Sequence, residues 1–232
     1  MAKKTNKSKD RLLAAMLPHV AFDGWSDASF AAAADDAKVS MEDARAIAPR
    51  GAIDLAIAFH REGDAAMVER LASADLSDMR FRDKVATALR YRIEAMTDKE
   101  AVRRASTLFA LPVHAPDGLR LIWETADHVW TALGDKSRDG NWYSKRATLS
   151  GVWAATVLFW LGDDSPDHGN TMDFIDRRID DVMKIEKLKS NLRENPLTKP
   201  LMSLQSAVFD KMKAPDPAAM DDLPGRWKGP VS

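Results

Sequence analysis

Hydrophobic and polar positions recur with a period of three to four residues along most of the chain, whereas alternation with a period of two is scarce. At the start, this pattern predicts short helices at about residues 8–17, 27–37 and 41–48. Ser26 and Ser40 precede the second and third of these helices and are suited to cap their N-termini. We therefore expect an all-α protein, with a helix-turn-helix-like head over residues 1–50 and a helical body over residues 51–190.

The body is predicted to contain longer helices at about residues 53–72, 77–96, 99–111, 117–133, 142–161 and 167–188. Pro18, Pro49 and Pro112 end predicted helices, because a proline inside a helix removes a backbone hydrogen bond. The helix at 117–133 has the clearest apolar stripe. The helix at 142–161 is apolar nearly all round in its second half, so we expect it to be buried on more than one side.

The composition changes beyond the body, where six of the eleven prolines lie at or after Pro196. One further amphipathic helix is predicted at about 197–212, within the segment 191–214. Its apolar stripe consists of Leu197, Leu201, Leu204, Val208, Phe209 and Met212. Because lysines flank the stripe, we expect a helix that lies on a membrane surface; docking onto the body or onto a second subunit is the alternative. Residues 215–232 are predicted to be disordered.

Charge and cysteine content narrow the functional classes. The net charge of −1 favours neither a nucleic acid nor an anionic membrane as a bulk partner. The absence of cysteine excludes disulfides, thiolate zinc sites and cysteine nucleophiles. No secretory signal is recognisable, and the longest apolar run, 151–162, is too short for a bilayer span of about 20 residues. We expect a cytoplasmic protein or one that is peripheral on a membrane.

The short helices at 27–37 and 41–48 have the length of a helix-turn-helix, and the overall layout resembles TetR-type regulators. A TetR-type transcriptional regulator with a hydrophobic effector is therefore one hypothesis. The charge argues against it, since residues 21–50 contain three basic and six acidic side chains, a net −3. A segment that approaches a polyanion should be basic. We expect no nucleic-acid partner.

Catalytic spacings are absent from the sequence. The five histidines are scattered, and only His128 has a glutamate, Glu124, at a helical spacing; we expect a contact on the helix surface. Residues 163–169 carry aspartates spaced as in a calcium loop, but Phe174 stands where that loop needs a glutamate. We therefore expect a helix connection with Asp167 near the next N-cap. The sequence predicts a non-enzyme that uses no cofactor and no metal.

Five of the seven tryptophans fall within 38 residues, at 123, 130, 142, 153 and 160. Trp123 and Trp130 are seven residues apart and share a helix face, and Trp153 and Trp160 repeat this spacing. Facing helices of this kind can enclose an apolar pocket, although core packing or a dimer interface is the alternative. We predict a lipid pocket lined by Trp123, Ala126, Trp130, Trp153, Val157, Trp160 and Met183.

Trp142, Tyr143 and Arg146 follow a hydrophilic loop at the start of the next predicted helix. Aromatic residues and an arginine on an accessible surface are typical of a protein interaction site. The alternative is a local staple in which Asn141 caps the helix and Trp142 packs back on it.

The chain resembles a known family most densely in Val129-Trp130-x-x-x-Gly134-Asp135-x-Ser137-x-Asp139-x-Asn141-Trp142-Tyr143-x-Lys145-Arg146. The similarity extends to residues 21–25, 164–167 and 171–179, and it covers most of residues 10–190. These residues resemble the accessory lipid-binding protein family of ubiquinone (coenzyme Q) biosynthesis, ninth in the eukaryotic coenzyme Q gene series.

The resemblance implies a dimeric, TetR-like helical protein that binds an isoprenoid lipid or a ubiquinone intermediate. It implies presentation of that lipid to the quinone hydroxylase of the same pathway, and a C-terminal helix that docks on the inner membrane. The family's partner-binding patch corresponds here to Asp127, Asp139, Trp142, Tyr143 and Arg146. The absence of a transit peptide suggests a bacterial member. The family often has paired aspartates where this chain has Asp127-His128, so we expect position 128 to alter the partner contact.

Overall fold

A computed structural model describes the backbone of residues 2–138 and 140–194, with the side chains of 7–138 and 140–184. Over these ranges the chain forms nine α-helices and one 3₁₀ turn, without strands, so the predicted all-α class is confirmed. The helices are α1 Ala2–Asp23, α2 Asp27–Asp36, α3 Met41–Ile47, α4 Ala52–Ser73, α5 Phe81–Glu94, α6 Lys99–Ala110, α7 Ala115–Ala132, α8 Gly140–Leu161 and α9 Gly169–Glu194. None of them is long and apolar enough to cross a membrane. The predicted membrane helix and tail lie outside the described residues.

The predicted helix caps of the head are present. The Ser26 hydroxyl accepts a hydrogen bond from the Ser29 amide at 3.2 Å, and the Ser40 hydroxyl accepts one from the Asp43 amide at 3.1 Å. Each bond satisfies one of the amides that a helix N-terminus leaves without an intrahelical partner. The first turns of α2 and α3 therefore begin where the sequence predicts them.

The first helix is longer than predicted, because Pro18 lies inside it instead of ending it. A proline within a helix costs about 3 kcal/mol, so other interactions must hold the backbone in place. The stripe on both sides of Pro18 supplies them: Leu12, Leu13, Met16 and Val20 are all at most 1% exposed. Burial of an aliphatic side chain contributes roughly 1.5–3 kcal/mol, so the four together outweigh the cost of the proline.

Two hydrophobic clusters share one long helix. The first cluster joins α1, α2 and α3 to the start of α4, where Leu55 is fully buried. The second joins the later part of α4, at Met67, to α5, α7, α8 and α9 around Trp153. Phe59 packs against both clusters. Since α4 contributes to both cores, the division of the chain at residue 50 stays a prediction.

The connection between α8 and α9 is capped differently from the expectation. Asp167 lies in the 3₁₀ turn with a positive φ of 52°. It is Asp163 that caps α9, since its carboxylate accepts hydrogen bonds from the Thr171 amide at 2.8 Å and the Thr171 hydroxyl at 2.6 Å. These bonds, with those from Ser165, offset burial and hold the pKa of Asp163 well below its usual range. Because a 3₁₀ turn precedes α9, the capping residue is Asp163, four residues before the predicted Asp167.

Candidate ligand cavity and partner surface

A cavity of about 620 Å³ lies between α4, α5, α6, α7 and α8. Most of its wall is apolar, and it is formed by residues such as Phe59, Phe109, Ile122, Trp153 and Val157. Its volume falls within the range of small-molecule sites in proteins, about 300–1,000 Å³. This cavity can therefore hold an apolar ligand of moderate size.

One wall of this cavity is polar, because His60 on α4 and Arg92 on α5 also line it. Behind them lies Asp64, whose side chain is fully buried. The Arg92 Nε donates to the Asp64 carboxylate at 2.6 Å, and the Arg92 Nη2 donates to the His60 carbonyl at 2.9 Å. The Thr125 hydroxyl of α7 lies 2.9 Å from both Asp64 Oδ1 and His60 Nε2. The buried charges are therefore paired and hydrogen-bonded.

The protonation states of this polar network follow from burial and pairing. Burial lowers the pKa of His60 to about 4, so its imidazole is neutral at pH 7. Burial would raise the pKa of Asp64, but His60 and Arg92 hold it well below its usual range. An ionised Asp64 can only accept, so it is an acceptor for the Thr125 hydroxyl, which also lies 3.1 Å from the Leu121 carbonyl. The network carries one negative and one positive charge at neutral pH.

A second cavity of about 350 Å³ lies between α5, α7, α8 and α9. Trp130 forms part of its wall, stacked on Phe81 at a centroid distance of 5.6 Å. The indole Nε1 of Trp130 donates to the Lys145 carbonyl at 3.2 Å, which fixes the ring. Met183, whose side chain is exposed, also lines this cavity.

The residues predicted to line one lipid pocket are thus divided among several places. Trp153 and Val157 line the larger cavity, and Trp130 and Met183 line the smaller one. The remaining three, Trp123, Ala126 and Trp160, line neither: Ala126 and Trp160 are buried in the core around Trp153. The helical spacing of seven residues did not bring each tryptophan pair to one cavity.

Trp123 instead packs against two residues that were predicted to bind a partner, Trp142 and Tyr143. Its ring lies 5.8 Å from that of Trp142 and 6.4 Å from that of Tyr143, and the latter two meet edge to face at 4.8 Å. All three are partly buried. The predicted partner residues Trp142 and Tyr143 therefore form one aromatic group with Trp123 at the start of α8.

Arg146 differs from the expectation of an accessible arginine, since it is only 2% exposed. Its Nε donates to Asp127 at 2.6 Å, and its Nη1 donates to Asp135 at 3.2 Å and to the Trp142 carbonyl at 3.2 Å. The guanidinium also lies 4.0 Å from the centre of the Trp142 ring. The buried Arg146 thus packs against the Trp142 ring and restrains it. Asp139, the fifth predicted partner residue, lies outside the described residues.

The expected Glu124–His128 contact on α7 is replaced by contacts with α4. Glu124 accepts two hydrogen bonds from Arg61, both at 2.8 Å. The His128 Nδ1 lies 3.6 Å from Asp64, and this carboxylate raises the pKa of His128. The His128 ring thus lies against the polar network. That position 128 alters a partner contact stays a prediction.

Sequence reasoning missed the polar network of His60, Asp64, Arg92 and Thr125. Its members come from three helices and form no local motif. The one signal was Gly63 within a long predicted helix: a Cβ at this position would lie 2.4 Å from Arg92 Nη1, so the glycine makes room for the guanidinium. Among the residues with described side chains, no group of three or more histidine, aspartate or glutamate side chains is arranged to hold a metal ion.

Comparison with solved structures relates the fold to a known class. The crystal structure of a TetR transcriptional regulator from Nitrosomonas europaea ATCC 19718 matches with a TM-score of 0.61 and 18% sequence identity. The match covers 74% of this chain and 95% of that one. The predicted TetR-like fold is confirmed.

Comparison with protein sequences relates this chain to a known family. Residues 115–186 match the COQ9 family. The probable ubiquinone biosynthesis protein coq9, mitochondrial, of Dictyostelium discoideum is 32% identical over 62% of this chain and 49% of its own length. The ubiquinone biosynthesis protein COQ9, mitochondrial, of Bos taurus is 31% identical over 75% of this chain and 57% of its own. The chain thus spans about half the length of these relatives. It carries a COQ9 family domain and is a homologue of the COQ9 ubiquinone biosynthesis proteins.

Proposed function

We propose that this protein acts in ubiquinone biosynthesis as a lipid-binding accessory protein. It binds an isoprenoid or quinone intermediate and presents it to the hydroxylase of the same pathway, without catalysing a reaction itself. The observation that carries this proposal is the cavity of about 620 Å³, whose wall is mostly apolar and includes Trp153 and Val157. Such a cavity lowers the free-energy cost of removing a prenyl chain from lipid.

The aromatic group of Trp123, Trp142 and Tyr143 is the proposed docking surface for the hydroxylase. Tryptophan and tyrosine contribute much of the binding energy at protein interfaces, above all when they are held rigidly. Arg146, fixed by Asp127 and Asp135, restrains Trp142 before any partner arrives. Binding then loses little side-chain entropy. We include Asp139 in this surface on the family resemblance alone.

We also propose that the protein is a homodimer, peripheral on the inner membrane. An apolar outer face on α8 and α9 supports self-association, since Phe159 stacks on Phe174 at 4.4 Å and remains 37% exposed. The relatives are named as mitochondrial proteins. The membrane contact is assigned to the amphipathic stripe predicted from Leu197 to Met212. Light scattering after size exclusion would test the dimer.

A TetR-type regulator remains the second candidate, because the matched solved structure is described as one. The head argues against it. Arg45 is bound to Asp27 at 3.0 Å, and Arg50 is bound to Asp54 and Asp117, both at 2.8 Å. These arginines are already neutralised within the chain, which adds to the net charge of −3 over residues 21–50. A gel shift with the upstream region of its own gene would separate the two functions.

The main proposal is tested by the quinone profile of a strain that lacks the gene, measured by mass spectrometry of a total lipid extract. We expect loss of ubiquinone with accumulation of a late intermediate that lacks one hydroxyl group. Complementation with the intact gene is the control. An unchanged profile would refute a role in this pathway.

A further inference from the structure

The second cavity, between α5, α7, α8 and α9, has apolar wall residues that water can reach. Phe81 on α5 and Met183 on α9 line it, and each is 46% exposed. Val182 on α9 also lines it and is half-buried. Covering these side chains is favourable, because it removes apolar surface from water.

The charged side chains at this cavity are already paired with carboxylates. Arg82 binds Asp180 at 2.6 Å and Asp83 at 3.0 Å. Lys145 binds Asp135 at 2.8 Å. A charged ligand would have to compete with these carboxylates, and the volume of about 350 Å³ is near the lower end of the range for small-molecule sites, about 300–1,000 Å³. Apolar side chains of a polypeptide therefore suit this cavity better than a charged small molecule.

The chain that follows α9 begins close enough to cover the cavity. The backbone of α9 continues from Met183 to Glu194, which at a rise of about 1.5 Å per residue is a distance of roughly 17 Å along the helix. Asn195-Pro196 comes next in the sequence, and a proline disfavours continuation of a helix. At this point the chain can therefore turn back along α9.

The helix predicted at 197–212 has the length and the register to reach the cavity. Val208 lies 11 residues after Leu197, just as Met183 lies 11 residues before Glu194. In two antiparallel helices joined by a short connection, Val208 and Met183 are therefore level with each other. Val208 and Phe209 belong to the apolar stripe of the predicted helix, so this end of the stripe matches the position of the cavity.

The sequence of the last turns of α9 supplies a matching apolar pattern. Ile185, Leu188 and Leu192 follow Val182 at intervals of three and four residues. Positions with these intervals share one face of a helix. A helix that returns along α9 can thus pair its stripe with this face as well as with the cavity.

We propose that the segment 197–212 folds back along α9 in the absence of a membrane and covers the second cavity, with Val208 and Phe209 against Phe81 and Met183. Only two residues connect the segment to α9, which gives it a high effective concentration at this site compared with a second copy of the chain. The same stripe is the proposed membrane contact, so the cavity and a lipid surface compete for it. The segment shields its stripe from water until a lipid surface takes the place of the cavity.

The lack of cysteine in the native chain allows a direct test by disulfide formation. The full-length double variants Met183→Cys/Val208→Cys and Met183→Cys/Ser206→Cys place the second cysteine on opposite faces of the predicted helix. In dilute solution under mild oxidation, we expect the first pair to form an intramolecular disulfide at least about tenfold faster than the second. Equal rates would overturn the docking. Disulfides formed only between chains would assign the cavity to a second copy and would overturn it as well.

The cavity side is tested by adding Thr148→Arg to the Met183→Cys/Val208→Cys chain. Thr148 is half-buried and lines the cavity, so the stripe would have to bury the new charge, and we expect disulfide formation to slow at least about tenfold. The matched control is Ala147→Arg, which adds the same charge at the adjacent exposed position of α8 and should leave the rate unchanged. Equal rates in folded variants would refute the cavity as the docking site. Should Thr148→Arg not fold, the comparison of the two cysteine pairs decides.

Vesicles separate this inference from the proposed membrane contact. Vesicles of phosphatidylcholine and phosphatidylglycerol should slow disulfide formation in the Met183→Cys/Val208→Cys chain, because the stripe cannot lie in the cavity and among acyl chains at the same time. An unchanged rate in chains that float with the vesicles would overturn the competition. Another part of the chain would then hold the membrane, while the docking itself would stand on the two cysteine pairs.

Discussion

At the scale of single residues, Gly63 lies inside helix α4 although glycine has a low helix propensity, because Arg92 occupies the space that a side chain would need. Alanine is favoured over glycine in a helix by about 1 kcal/mol. Here the new Cβ would lie 2.4 Å from Arg92 Nη1, and the guanidinium is held by Asp64 and the His60 carbonyl. We expect Gly63→Ala to lower the free energy of unfolding by about 2 kcal/mol, measured by urea denaturation.

The matched control is Gly151→Ala in α8, where a Cβ would meet no atom within 4 Å. This substitution should raise the free energy of unfolding by up to about 1 kcal/mol. If both variants were stabilised, the close approach of Arg92 to Gly63 would not constrain this position.

His60 makes the free energy of unfolding decrease as the pH falls below about 6.5. Its pKa is lowered by burial to about 4 in the folded chain and is near 6.5 when the chain is unfolded. The unfolded state therefore binds the proton first, so stability is complete above about pH 6.5 and decreases as the pH falls towards 4. We expect His60→Gln to reduce the loss of unfolding free energy between pH 7 and pH 5 by about 2 kcal/mol, measured by urea titrations.

His128 provides the control of opposite sign. The neighbouring Asp64 carboxylate raises the pKa of His128, so the stability that His128 contributes is present below about pH 6.5 and lost as the pH rises through the higher value. His128→Gln should therefore increase the loss of stability on acidification from pH 7 to pH 5. Identical pH profiles for the two variants would contradict both assignments.

At the scale of helices, sequence reasoning succeeded where the determinant was local. The caps at Ser26 and Ser40 and the apolar stripe of α7 depend on residues within a few positions of each other, and a single sequence displays them. Pro18 was misjudged because its cost is outweighed by packing against α2, which a sequence does not show. The network of Asp64 and Arg92 was missed for the same reason, since its members meet only once α4 and α5 pack together.

At the start of α8, Trp142 is the proposed contact residue and Arg146 holds its ring in place. Substituting each residue therefore tests a different role, beginning with Trp142. Its ring is partly buried and lies on the surface with Tyr143 and Trp123. We expect Trp142→Ala to weaken hydroxylase binding at least about tenfold in a pull-down with purified partner, as for an interface hot spot. The thermal unfolding midpoint should change little. Retained binding would remove Trp142 from the partner surface.

Arg146→Met should behave differently, although it touches the same ring. Asp135 is only 5% exposed, and the substitution takes away its partner in the Arg146 ion pair. We expect a loss of about 3 kcal/mol in the free energy of unfolding, together with weaker hydroxylase binding because Trp142 is no longer held. Lys145, which also binds Asp135 at 2.8 Å, limits the damage. Weaker binding without any loss of stability would instead make Arg146 a direct contact.

At the scale of the whole molecule, the proposal joins a cavity, a partner surface and a membrane contact, and α7 links the first two. It carries Thr125 and His128 against the polar network and Asp127 against Arg146. The membrane contact depends on residues beyond those described and is therefore argued from sequence. In a helix over 197–212, Leu204 falls within the apolar stripe, whereas Ser206 falls on the opposite face.

We expect Leu204→Glu to abolish flotation with liposomes that contain anionic lipid, because a charge in the apolar stripe opposes its burial among the acyl chains. Ser206→Glu introduces the same charge on the polar face and should float almost as well as the native chain. Deletion of residues 197–232 should remove flotation while leaving the dimer intact by light scattering. If Leu204→Glu and Ser206→Glu floated equally, the stripe would not be the membrane contact, and docking of this segment on the body or on a second subunit would explain its apolar face.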